Sequence, residues 1–209
     1  INLDLIRQKI NTFLFSSIIL LLTAGCAQFQ GIDNIPTAHG SASFNIYESF
    51  GELAMGATEI VEVKVSTKQE TFVDNDLPFT VSNVKIKSVL KGALKENDTI
   101  PVVEVGGIYQ PLINGDPKRG KQKQYVNYIM EGNKVMQSGE EYILFLNPIE
   151  GGTIKNSYYP IGLYQGKYKV HNGGKVARQN EKEFSSEFMF NSVDELKEVI
   201  SRVKQQRNP

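Results

Sequence analysis

The chain is poor in the residues that usually announce a site. Its 209 residues hold one cysteine, two histidines and no tryptophan. A single cysteine excludes an intramolecular disulfide framework. Together with His39 and His171 it is too little for a Cys/His zinc cage. An excess of one charge is missing as well, since 23 Lys+Arg stand against 23 Asp+Glu. That balance argues against a dedicated nucleic-acid binder, whose footprint is strongly basic. What the chain does have is 40% apolar and 22% charged residues, ordinary globular proportions in a length that suits one domain with a sizeable core.

Catalytic signatures are equally scarce. The sequence contains no G-x-S-x-G elbow, no P-loop, no G-x-G-x-x-G after a strand and no H-E-x-x-H. His39 falls in a polar stretch near the N-terminus, and His171 falls in His171-Asn172-Gly173-Gly174, a hairpin tip that holds an imidazole poorly. Asp74-Asn75-Asp76 lacks the glycine and the distal glutamate of a calcium loop and reads as a turn. No catalytic residue, metal or cofactor is expected.

The first 25 residues form a separate unit. Arg7 and Lys9 precede Phe13 to Ala24, a 12-residue stretch without a charge, and small residues follow. A membrane span needs roughly 20 apolar residues, so the pattern predicts a secretory signal peptide over 1–25. Leu22-Thr23-Ala24-Gly25-Cys26 resembles the lipobox of bacterial lipoproteins. The resemblance implies that Cys26 is acylated and becomes the mature N-terminus, anchoring an extracytoplasmic protein to the cell membrane. A diacylglyceryl group supplies two acyl chains, and two hold stably where one does not. Cleavage there removes Arg7, Lys9 and Asp4 and leaves the charge nearly even.

Residues 26–42 are polar, with Gly, Pro and Ser, and predict a flexible tether. The domain then spans 43–209. Ile46, Tyr47, Phe50, Leu53, Ala54 and Ala57 fall at helical spacing over 44–57. Residues 60–65 and 79–90 alternate apolar with polar, as half-buried strands do. Residues 98–105 form a third strand, and Glu141 to Leu146 is a continuous apolar run suited to a fully buried one. A further strand covers 158–165, and residues 168–170 and 175–177 flank the hairpin tip. Ser192 and Glu195 make a capping box for a closing helix whose apolar stripe is Val193, Leu196, Val199, Ile200 and Val203. The pattern predicts a mainly β protein with flanking helices (α+β): an antiparallel barrel with a C-terminal amphipathic helix.

Val89-Leu90-Lys91-Gly92, Asp98-Thr99-Ile100, Gly106-Gly107, Gly139 to Leu146 and Gln165-Gly166-Lys167-Tyr168 together resemble a domain common in uncharacterised secreted proteins and lipoproteins of Gram-positive bacteria. The V-L-K-G and G-E-x-Y elements are also distantly similar to the OB-like barrel of tissue inhibitors of metalloproteinases and netrin modules. The resemblance implies an OB-like barrel and brings no catalytic residues with it.

Residues 106–139 make a long insertion for a barrel. Within it Lys118, Arg119, Lys121 and Lys123 form a basic stretch flanked by Tyr109, Tyr125 and Tyr128. These cations, with Tyr109 and Tyr125, are the candidate contacts for an envelope protein or anionic polymer; the plainer alternative is a solvated loop in which 125–130 adds a strand. The expected function is therefore a lipid-anchored binding or interaction module of the bacterial cell envelope, with no nucleic-acid partner. The alternative is an envelope hydrolase using carboxylates as general acid and base.

Overall fold

In the computed structural model, residues 35–41, 45–111, 125–178 and 188–206 are described, and all that follows concerns the unit Pro36–Pro209. The expected signal peptide and Cys26 lie outside the described residues, as do Lys118, Arg119, Lys121 and Lys123.

The strands are β1 (Thr37–Gly40), β2 (Glu59–Asp74), β3 (Leu77–Lys91), β4 (Thr99–Val105), β5 (Gly107–Tyr109), β6 (Val126–Met130), β7 (Glu141–Pro148), β8 (Tyr158–Pro160), β9 (Lys167–Val170) and β10 (Val176–Ala177). Two helices accompany them, α1 (Phe50–Gly56) and α2 (Val193–Gln206). The main sheet runs β10-β9-β7-β2-β3-β4-β8, and an additional β7–β8 pairing closes five of these strands into a barrel. The protein is thus mainly β with flanking helices, as the alternation predicts, and its closed five-strand barrel is compatible with an OB-like fold.

Each strand follows from its side chains. β2 and β3 form one long hairpin in register from Ile60↔Lys91 to Asp74↔Leu77. Its two-residue turn, Asn75 and Asp76, has φ of 47° and 63°, the left-handed pair that matches the twist of a hairpin. The sequence pattern ends this strand at Val65, but β2 continues nine residues further to Asp74. Polar residues carry the extension: Gln69 Nε2 donates to Ser82 Oγ and to the Met136 carbonyl, both at 2.7 Å. A register shift between Val65 and Gln69 marks where the apolar alternation stops.

β7 is buried on both faces, as its continuous apolar run implies. Tyr142, Leu144 and Leu146 point into the barrel with Val61, Val63, Val84, Ile86, Ile100 and Val102. Ile143 and Phe145 face outward onto a second core made with Phe50, Leu53, Tyr168, Leu196 and Ile200. Leu196 and Ile200 are fully buried, and burying each stabilises the docked helix by about 1.5–3 kcal/mol.

Both helices are capped by their own sequence. Ser49 Oγ accepts from the Glu52 N–H, which starts α1 at Phe50 and shortens the predicted helix. Lys91 closes its other end by donating to the carbonyls of Ala54 and Met55. Ser192 Oγ accepts from the Glu195 N–H, the first half of the predicted capping box, and the Glu195 carboxylate reaches back to accept from the Asn191 N–H, one residue before the cap. α2 is then tied to the barrel by Lys197, whose Nζ lies 2.7 Å from Glu62, and by Lys204, which donates to the Leu90 carbonyl.

The second sheet, β1-β6-β5, changes one expectation and contains the strand that the plainer reading of 125–130 adds. Residues 37–40, expected within the tether, form a strand parallel to β6, with His39 opposite Ile129. Residues 107–109 and 126–130, expected within the insertion, supply the other two strands. Backbone pairing holds β1 there, and TAHG has no alternation that would show it.

Candidate functional site

The barrel hoop is unevenly closed. β3 and β4 share seven paired positions and β7 and β8 share three, but β4 meets β8 at a single parallel pair, Val102↔Tyr158. Past this pair, Val103–Val105 and Tyr159–Leu163 flank a pocket of about 240 Å³. Tyr47 and Asn45, just before α1, form another of its walls, and Asn133 completes it.

The walls are fixed by specific bonds. Gln165 is only 1% exposed. Its Oε1 accepts from the Tyr47 N–H at 2.8 Å and its Nε2 donates to the Tyr47 carbonyl at 2.9 Å. Gly162 gives this clamp its room: it sits at φ 60°, and a Cβ there would lie 2.6 Å from Gln165 Oε1. The next residue, Leu163, is also left-handed, with φ 55°. A branched side chain in that conformation costs on the order of 1 kcal/mol, a strain found disproportionately at functional sites. Burial pushes the Tyr47 phenol above its ordinary pKa, and the neighbouring Tyr159 phenol adds to the rise.

Beneath them lies a buried ion pair. Lys167 Nζ is 2.6 Å from Glu104 Oε1, with side chains 0% and 1% exposed. Glu104 Oε2 accepts from the Met136 N–H, and Lys167 also donates to the Lys134 carbonyl. Asn133 is 2% exposed, and its Oδ1 has no hydrogen-bond donor among the described residues. A buried acceptor left so costs about 1–3 kcal/mol.

On the other side of Val103 is a second hollow of about 280 Å³, between the tip of the β2–β3 hairpin and the β7–β8 loop. Phe72 and Phe79, directly opposite each other on β2 and β3, stack at 5.5 Å along its wall. Ile149 and Ile154 from the loop face them, and Asp74 and Ser157 are polar points on the lining. Phe72 and Val73 remain exposed.

Of the candidates read from the sequence, Tyr109 and Tyr125 are described and stand close together where β5 meets β6, since Tyr109 pairs with Val126. Tyr109 lies edge-on to Tyr128, with ring centroids 6.3 Å apart, and Tyr125 is 50% exposed. Neither lines either hollow. Tyr47, Tyr159, Asn133 and Gln165 escape a sequence reading because they are scattered along the chain and share no motif. The one local signal was the Gln165-Gly166-Lys167-Tyr168 stretch, which supplies the clamp and the buried lysine. Gly166 there is backed by the Ile161 carbonyl, 2.5 Å from where a Cβ would sit.

No family model matches the chain, and no curated protein is similar to it.

Proposed function

We propose that the chain is a lipid-anchored binding module of the bacterial cell envelope, held outside the cytoplasm through Cys26. The signal pattern and the lipobox resemblance support the anchor. The observation that carries the binding reading is the seam between β4 and β8, where a closed barrel keeps two hollows side by side with walls fixed before any ligand arrives. Such prior organisation lowers the cost of binding. A carboxylate-based hydrolase needs two acids at one cleft; among the described residues lining the seam pocket Glu104 is the one carboxylate, and both its oxygens are engaged.

Two measurements test this. Replacing Cys26 by Ala in cells should release the protein to the medium and abolish fatty-acid labelling; an unprocessed protein that stays in the membrane sinks the anchor. The released full chain should then sediment with isolated cell envelopes. Failure to sediment across a range of salt sinks the binding module.

A further inference from the structure

The geometry points to the pocket between β4 and β8 as a subsite for one uncharged sugar unit of an envelope glycan. This deepens the binding-module reading and rests on it.

Charge sets the first limit. Among the described residues lining the pocket there is no Lys, Arg or His, so a phosphate or carboxylate finds no cation to offset its desolvation. The only charge at the wall, Glu104, is already neutralised by Lys167. An uncharged ligand fits best.

Hydrogen bonding sets the second. The Asn45 and Asn133 side chains and the Tyr47 and Tyr159 rings stand around the same space. A ligand rich in hydroxyl donors satisfies these groups, whereas a purely apolar one leaves them stranded. Shape sets the third. Tyrosine offers an apolar face with a polar tip, the combination that suits a ring with C–H faces and hydroxyl edges. The volume equals roughly eight water molecules' share of liquid, one sugar ring rather than several. A peptide adding as a strand is less well served, because Pro160 at the rim has no N–H to pair.

The wall is built to hold Tyr47. The Gln165 clamp grips both of its backbone polar groups, and the left-handed Gly162–Leu163 turn makes room for that grip.

The chain has no tryptophan, so emission from its nine tyrosines is directly observable. Full-length protein carrying Cys26→Ala is titrated with glucose, N-acetylglucosamine and soluble oligomers of the latter. Inorganic phosphate and an Ala-Gly oligopeptide serve as controls. A saturable change is expected with at least one neutral sugar and with neither control. Tyr159→Ala should weaken it at least tenfold with an unchanged thermal midpoint, and Tyr159→Phe should keep most of the affinity. The assignment is overturned if no neutral sugar binds, if phosphate or peptide binds instead, or if Tyr159→Ala binds equally well. Envelope sedimentation of the same preparation decides the wider reading separately: retention without sugar binding removes the subsite and leaves the module.

Discussion

Gln165 and Tyr47 are 118 positions apart, yet one side-chain amide satisfies both the N–H and the carbonyl of the other residue. A segment without regular structure, just before α1, is thereby locked to the turn after β8. Gln165→Met should cost about 1–3 kcal/mol, because it strands two backbone groups at once. Gln165→Glu loses the donor and buries an unpaired carboxylate against the Tyr47 carbonyl, so at neutral pH it should cost at least as much as Met. Urea midpoints of the three proteins check that order.

The Glu104–Lys167 pair should behave as a unit. Lys167→Met alone leaves a buried carboxylate facing an apolar chain and should cost about 3–5 kcal/mol. The double replacement Glu104→Leu with Lys167→Met should recover part of that loss, because it removes the unpaired charge while the Met136 N–H and the Lys134 carbonyl lose a partner each. A double-mutant cycle in urea measures the coupling; additive losses would show the pair to be independent.

Acid should weaken the attachment of α2. Burial pushes the Glu62 carboxyl up, but hydrogen bonds and charge from Lys197 and Lys87 outweigh it and leave the group below its ordinary range. Glu140 is lowered in the same way, against burial, chiefly by Lys169. A carboxylate depressed in the folded state stabilises above its unfolded pKa, and that stabilisation is lost as pH falls through the folded value. The stability difference between the parent and Glu62→Gln should therefore be full above the ordinary glutamate range near about 4.3, begin to fall within it, and be gone once pH has dropped through the folded value. Urea midpoints from pH 7 to pH 3 report the difference directly.

Retention on envelopes should separate two kinds of contact. Phe72→Ala removes an exposed ring and its stacking partner's cover, which costs about 0.5–1.5 kcal/mol of pair energy and should lower retention at every salt concentration. Replacing Lys118, Arg119, Lys121 and Lys123 together by Ser should lower retention mainly at low salt, because exposed charges are screened over about 10 Å at 0.1 M. Equal salt dependence in both variants would remove the basic stretch from the binding surface.

How much of this was visible in the sequence depends on what each segment uses to hold its place. β7 and α2 hold by apolar side chains in a strict period, and their runs from Glu141 to Leu146 and from Val193 to Val203 read directly. β1 holds by backbone pairing with β6, and the far end of β2 by polar side chains such as Gln69. Neither leaves a periodic trace. The site is harder still. Tyr47 reads as one more apolar position of a helix, and Asn133 is one polar residue inside the 106–139 insertion. Their roles come from a seam that joins residues from four separate stretches of chain.

The single Val102↔Tyr158 pair makes this seam the weakest hoop of the barrel. Local opening begins where few hydrogen bonds must break, so amide exchange at β8 should be the fastest among the barrel strands. A ligand seated between β4 and the turn after β8 would act as a rivet across that joint. Its binding free energy would then be felt as resistance to fraying, growing with the logarithm of ligand concentration. The joint that most readily comes apart is also the one an occupant is best placed to fasten.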